Sequence, residues 1–352
     1  MIKKNLRPFI IVATALSVAM FVVMTISCIP DPLIAAFVTG DMRPPCVASW
    51  GSSSPSLVTI TFDEDIDEAV PGFASSPGPG ILSVELGDAG RSVCVRLDGE
   101  QSPGMAYAVS GMVADKAGNL SSFVLPYWGY NSRPPLVVFN ELLTEGSKTH
   151  PDSIELFVKS EGLCSGMSLF IGTQDDFDIR YVFGPLEVAA GDYIVLHLKP
   201  QGLPEEIDET DDKSVSGGLD ASATAWDLWF RDGEAALSGK NGVLSLCSSP
   251  NGTMMDAIAY SERTVDSDTK YGGFGTAALR DRVAFIVGAS AWNASDPPRP
   301  EDCARSTGTT STRTICRSSS SQDTDSGVDW HVVPTKGASL GGQNLDDVYV
   351  PL

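Results

Sequence analysis

Leu57-Val58-Thr59-Ile60-Thr61-Phe62 is the stretch that decides the fold class. Val58, Ile60 and Phe62 fall on one side of an extended chain and Thr59 and Thr61 on the other. That period of two suits a half-buried strand and cannot be used by a helix. Arg91–Leu97 repeats it, with Val93, Val95 and Leu97 inward and Cys94 and Arg96 outward. Tyr193 and Val195 alternate with Ile194 and Leu196, and Leu244 and Leu246 with Val243 and Ser245. Turn-forming runs separate these segments: Asp115-Lys116-Ala117-Gly118-Asn119, and the hairpin dipeptides Asn241-Gly242 and Asn251-Gly252. No segment sustains an apolar stripe of period 3.6, so helices are expected to be few. The chain reads as all-β, with antiparallel β-sandwiches built from short strands.

Composition agrees. Among 352 residues, 34 Gly and 23 Pro are spread as turn punctuation, and 42% hydrophobic residues suffice for real cores. The formal charge of −21 excludes a nucleic-acid binder, which needs a cationic surface, and disfavours a face lying on anionic lipid.

The amino terminus reads as an export signal. Lys3, Lys4 and Arg7 precede the apolar run 9–26, and Ser27 stands before Cys28. Ser27-Cys28 after Ile26 resembles a bacterial lipoprotein signal. The resemblance implies removal of residues 1–27, a fatty acyl group such as palmitate on Cys28, and a body held outside the cytoplasm. The other readings are an uncleaved anchor helix, for which 18 apolar residues are just long enough, and simple secretion.

Six further cysteines remain: Cys46, Cys94, Cys164, Cys247, Cys303 and Cys316. None forms a CxxC pair, and in an exported chain an even number reads as disulfides. Membership of two domains suggests the pairs 46–94, 164–247 and 303–316.

Residues 28–130 form the first unit, Asn131-Ser132-Arg133-Pro134-Pro135 a stiff linker, 136–345 the second unit and 346–352 a tail. The first carries PPCVASWGSSSPSLVTITFDEDID and YAVSGMVADKAGNL, and resembles the bacterial Ig-like domains; Asp115, Gly118 and Asn119 match their D-x-x-G-N turn. The second carries Asn140-Glu141, Ile154-Glu155-Leu156, Ser165-Gly166, the strand Gly191–Leu196, Leu237-Ser238 with Asn241-Gly242, Asp256–Tyr260 and a closing PTKGASLGGQN. In that order they resemble the lamin-tail domain. The resemblances imply two Ig-like sandwiches in tandem, without catalysis or cofactor.

Candidate chemistry is sparse. Glu141 and Glu155 could act as an acid–base pair; the alternative is that each accepts hydrogen bonds from a neighbouring backbone loop and holds the sandwich edge. His150, His197 and His331 lie far apart, with His197 expected on a polar strand face. Gly272-Gly273-Phe274-Gly275 lacks the strand and helix a dinucleotide site needs. Acidic residues 63–68 and the run Glu205–Asp212 read as solvated loops, with Ca²⁺ as the other option. Asp323 and Asp325 are weak metal candidates. The expectation is a non-catalytic, lipid-anchored envelope protein for adhesion, scaffolding or binding of a protein or glycan; the alternative is an accessory or cryptic envelope hydrolase, with Ca²⁺ dependence as an option.

Overall fold

Val58, Ile60 and Phe62 are fully or almost fully buried, while Thr59 and Thr61 between them are half-buried. The computed structural model describes residues 41–233 and 235–351; Cys28 and the 1–27 segment lie outside the described residues. Two cores form. One draws its buried residues from Val58 to Tyr127, the other from Val137 to Val332.

Seven strands enclose the first core: β1 (Val47–Ser54), β2 (Leu57–Phe62), β3 (Glu68–Ser76), β4 (Ile81–Gly87), β5 (Ser92–Leu97), β6 (Ala106–Ala114) and β7 (Leu120–Trp128). They pair as one sheet of order β1-β2-β5-β4 and another of order β3-β6-β7, every pairing antiparallel. Val93, Val95 and Leu97 face inward, and Arg96 is exposed. Asp115 accepts from the Asn119 backbone N–H at 2.8 Å and from its side chain at 2.7 Å, so the D-x-x-G-N turn closes on itself.

The second unit runs β8 (Leu136–Leu143), β9 (Ser153–Ser160), β10 (Gly162–Leu163), β11 (Ser168–Gly172), β12 (Phe177–Val182), β13 (Glu187–Val188), β14 (Tyr193–His197), β15 (Trp226–Trp229), β16 (Asn241–Cys247) and β17 (Met254–Ser261). Helix α1 (Ala277–Gly288) follows, then β18 (Ala304–Arg305), β19 (Ile315–Arg317) and β20 (Trp330–Val332). A five-stranded sheet of order β12-β11-β16-β17-β18 packs on a six-stranded sheet of order β15-β14-β9-β8-β19-β20. Ile194, Leu196, Leu156, Phe139 and Leu142 from the second meet Leu169, Leu244, Leu246 and Ile258 from the first. The chain is therefore all-β and sandwich-built.

Helix α1 is the element that periodicity did not place. Thr276 caps it, its Oγ1 accepting from the Leu279 N–H at 3.2 Å, and only Val283 and Ile286 are buried. Arg282 fixes it by binding Asp176 at 3.0 Å and Asp178 at 2.8 Å on the β11–β12 hairpin. Leu279, Phe285 and Val287 pack half-buried beside Val283 and Ile286, so its apolar contacts are spread round a short helix and leave little stripe to read. Among the described residues no helix is long and apolar enough to cross a membrane.

The cysteines depart from the expected pairing: all six described ones are free thiols. Cys46 exchanges backbone contacts with Asp63 just past the end of β2, whereas Cys94 sits on β5 opposite Thr59 of β2. Two strand spacings and four residues of rise put them about 16 Å apart, well beyond the roughly 7 Å limit of a disulfide. Cys164 and Cys303 belong to the inter-sheet core, while Cys247 and Cys316 are buried outside it. Each expected pair in the second unit therefore joins thiols with different surroundings.

Candidate functional site

The second face of the six-stranded sheet is where polar side chains collect. Register partners cross all six strands in one row: Asp227, Val195, Glu155, Glu141, Cys316 and His331. Directly paired residues point to the same side of a sheet, so five polar or titratable groups share this face. A sandwich usually leaves such a face to solvent. Here the segment 200–225 covers the β14–β15 end, and the C-terminal segment 333–350 covers the β8, β9 and β19 end.

Glu141 and Glu155 are fully buried. Glu141 accepts from the Thr314 hydroxyl, from the Ser339 backbone N–H at 3.0 Å and from the Ser339 hydroxyl at 2.9 Å. Glu155 accepts from the Asn140 side-chain amide at 2.6 Å and from the Gly341 N–H at 2.6 Å. Asn344 donates to the carbonyls of Asn140 at 3.1 Å and Arg317 at 3.0 Å. The closing PTKGASLGGQN is thus a strap, and the N-E and I-E-L strands supply its anchors. Desolvation pushes both carboxyls above the usual range, Glu155 well above it because Glu141 faces it. The loop-holding reading of the two glutamates matches this geometry.

The thiol and the imidazole of the row, and the other two histidines, each have partners within the fold. Cys316 Sγ lies 3.7 Å from His331 Nε2, but that nitrogen donates to the Leu345 carbonyl at 2.9 Å. It therefore carries its own proton and does not accept one from the thiol. Burial and the nearby Glu141 and Glu155 push the Cys316 thiol upward, away from the reactive thiolate. His197 is on the polar side of β14 as expected, yet it is buried under the 200–225 segment and not solvated. Its Nε2 donates to Asp227 Oδ1 at 2.7 Å and its ring stacks on Trp229 at 4.1 Å. His150 pairs with Asp220 at 2.9 Å at the surface.

The acidic run Glu205–Asp212 is a largely exposed loop, as expected, but Glu206 and Glu209 within it are buried and hydrogen-bonded. Glu206 accepts from three consecutive backbone N–H groups, of Gln201, Gly202 and Leu203, at 2.7–3.0 Å. Glu209 and Asp208 accept from the N–H groups of Asp227 at 2.8 Å and Trp229 at 2.7 Å, along the open edge of β15. Charge density in sequence concealed that Glu206 and Glu209 point inward. A groove of about 890 Å³ lies beside this segment, floored by Leu198 and Phe230 and rimmed by Lys199 and Arg231. Asp152 pairs with Lys199 and Asp208 with Arg231, so both of these rim cations are engaged.

Asp323 and Asp325 do converge with Asp256, their oxygens lying within 4.8 Å of one another. A guanidinium stands at that point. The fully buried Arg317 reaches Asp323 at 2.9 Å, Asp329 at 3.2 Å and Asp256 at 3.7 Å, and lies 4.6 Å from the Trp330 ring centre. Burial pushes Asp256 up to about 7 against the pull of Arg317. These residue types could hold a hard cation, but the protein's own cation fills the role. Asp41, Glu64 and Asp115 form a second acidic group at the start of the first unit. Asp115 there is committed to Asn119.

Ser339 is the residue that sequence reading missed. Gly337-Ala338-Ser339-Leu340-Gly341 has the G-x-S-x-G spacing of a nucleophile elbow. That motif needs a strand running into it and a helix after it; here β20 ends at Val332, short of Gly337, and no helix follows among the described residues. Its hydroxyl donates to a carboxylate rather than to a histidine.

Residues 135–332 match the family model described as the TP_1001 protein second domain. A Treponema pallidum (strain Nichols) protein, described as uncharacterized, is 28% identical over 158 residues, which is 45% of this chain and 39% of that protein. The chain thus spans well under half of that relative's length. The N-terminal part of the bacterial S-layer protein SbsC is 14% identical, with 64% of this chain and 45% of that one covered and a TM-score of 0.25. L,D-transpeptidase 3 from Mycobacterium tuberculosis is 13% identical, with 43% and 81% covered and a TM-score of 0.17.

Proposed function

The chain belongs to the family of the TP_1001 protein second domain, and from that premise we propose a non-catalytic protein of the bacterial envelope. Its acyl group is on Cys28, and its two sandwiches, an Ig-like and a lamin-tail-like module, serve adhesion, scaffolding or ligand binding. One observation carries the non-catalytic part: the groups that could do chemistry in the polar row are spent on holding backbone. Glu141 and Glu155 anchor the strap, His331 donates to Leu345 O, and Asp227 anchors both His197 and the Ser222 N–H at 2.7 Å. A general acid or base must reach a substrate proton directly or through one water, and this row is roofed along most of its length.

The envelope location rests on the basic, apolar and Ser-Cys succession of residues 3–28. Fatty-acid labelling tests it: Cys28→Ala should lose the label and accumulate precursor, whereas retained label would overturn lipid attachment. Incubating the protein with ester, peptide, phosphate and glycoside substrates tests the rest. Turnover that is lost in Glu155→Gln or His331→Ala would overturn the non-catalytic reading.

A further inference from the structure

Five hydrogen-bond donors from one segment, or from a side chain beside it, end on two carboxyl groups that face each other. Glu141 and Glu155 are register partners on adjacent strands, so their Cβ atoms stand about 5 Å apart on the same side of the sheet. Ser339 supplies two of the donors and Gly341 one, and both belong to the strap. Gly341 has no freedom to move away without losing this contact. Its φ is +84°, an added Cβ would meet Ser222 Oγ at 2.3 Å, and its carbonyl accepts from Thr224 at 2.7 Å. With the strap in place, the two carboxyls lose water on the side where it docks; with the strap lifted, they regain it.

We propose that the C-terminal strap, residues 337–344, is a proton-linked latch: it docks most tightly when the Glu141–Glu155 pair holds a proton and loosens when both groups ionise. The inference concerns the same face as the function above but does not depend on that reading, because a latch can roof a binding module or an enzyme.

The surroundings fix the sign. Beside the pair stand Tyr193 from β14 and Cys316 from β19, and next to Cys316, away from the pair, are His331 on β20 and Asp346 from the tail. Tyr193 and Cys316 are neutral near pH 7, Asp346 adds negative charge, and His331 is already engaged with Leu345 O. Arg317, the neighbour of Cys316 on β19, turns to the other side toward Asp256 and Asp323. Desolvation by the docked strap raises the carboxyls, so the docked state binds protons that the open state releases. Docking is then fully favoured below the ordinary glutamate range and lost progressively as pH rises through the raised, docked-state value. Asn140 Oδ1 is buried beside Glu155 with no partner among the described residues. By turning its amide it can accept from a Gln at position 155, so that substitution keeps the site filled without the charge.

Amide hydrogen exchange on the full chain between pH 5 and pH 8 tests the latch, with rates divided by the intrinsic rate at each pH. The protection of Ser339 and Gly341 should fall at least tenfold across that range, while Val58 and Ile60 in the first unit stay constant. In Glu155→Gln the pH dependence should shrink severalfold. Should that variant fail to fold, the ¹³C titration of the wild-type glutamate carboxyls decides, since its midpoint must coincide with the loss of strap protection. Strap protection that is flat with pH, or unchanged pH dependence in a folded Glu155→Gln, overturns the proposal. Neither result bears on substrate turnover, so the functional reading is tested separately.

Discussion

Gly104 and Gly166 touch across the joint between the two sandwiches, so closely that a Cβ on Gly104 would stand 2.4 Å from the Gly166 backbone nitrogen. Both have positive φ, +71° and +86°, which glycine alone adopts freely. Around them Ser165 donates to Pro103 O at 2.7 Å, Asn131 of the linker donates to Leu163 O at 2.6 Å, and Asn251 donates to Trp50 O at 3.0 Å. Arg180 also lies over the Trp128 ring. The Pro-Pro linker is therefore one of several ties, and the joint is held by packing and hydrogen bonds as well as by covalent stiffness.

Gly166→Val should open this joint. The added side chain meets backbone atoms that cannot yield, and the left-handed conformation adds about 1 kcal/mol or more of strain. Limited proteolysis within 131–135 should accelerate at least tenfold while amide exchange stays slow at Val58 and Ile60 in the first core and at Leu156 and Leu244 in the second. Unchanged cleavage would show that the glycine contact does not hold the two units together.

Arg317→Met should destabilise the second unit by about 3–5 kcal/mol at pH 7.5, because it leaves buried carboxylates without their counter-charge. Asp256 is pushed up to about 7, so it takes a proton in the folded state as pH falls below that value. A raised folded value means stability is greatest at acid pH and declines as pH rises through about 7. The penalty of the substitution should accordingly shrink toward pH 5, where Asp256 is protonated. Urea unfolding at pH 5 and pH 7.5 measures both, and an equal penalty at the two values would contradict Arg317 as the compensating charge.

Much of this was legible because alternation reports burial. Val58–Phe62, Val93–Leu97 and Tyr193–Leu196 gave the strands and the all-β class directly. The polar row was not legible, because a glutamate inside Ile154-Glu155-Leu156 looks the same whether its face is solvated or roofed. What roofs it, segments 200–225 and 333–350, is far away in sequence, and the row's hydrogen bonds span up to 198 positions. The acidic run Glu205–Asp212 was legible as an exposed loop, but not the inward turn of Glu206 and Glu209, which meet strand and turn N–H groups that no local pattern predicts. Arg317 was likewise invisible as the partner of Asp256 and Asp323, since these three converge only in the folded sandwich.

The thiols should report the structure by their reactivity. Burial pushes Cys164, Cys247 and Cys303 up to about 12, leaving about one thiolate in ten thousand at pH 8. Iodoacetamide should therefore label exposed Cys46 first and leave these three and Cys316 unmodified until the protein unfolds. Mass spectrometry of the native, non-reduced protein should give six free thiols in residues 41–351. A bridged pair 46–94, 164–247 or 303–316 would show that the exported protein differs from this structure.

Glu209→Ala tests how the edge of the six-stranded sheet is protected. Strand β15 has β14 on one side only, and an edge strand with open N–H groups invites pairing with another chain. Glu209 is fully buried at that edge, with Oε2 accepting from the Asp227 N–H at 2.8 Å and Oε1 from the Ser216 N–H at 2.9 Å, while its own N–H donates to Asp227 O at 3.0 Å. Desolvation raises its carboxyl, yet an acceptor oxygen stays in place whether or not the group is ionised. Truncation removes both acceptors and leaves two shielded N–H groups unpaired, at about 1–3 kcal/mol for each group that water cannot reach. Asp211→Ala, at an exposed position of the same acidic run, should change stability by no more than about 0.5 kcal/mol. Urea unfolding should separate the two variants by at least about 1 kcal/mol, the lower bound for a single unpaired group. Light scattering at rising concentration should show self-association for Glu209→Ala alone, through the uncovered β15 edge. Equal stability of the two variants would mean that the acidic run serves solubility only and that the β15 edge is covered by something other than Glu209.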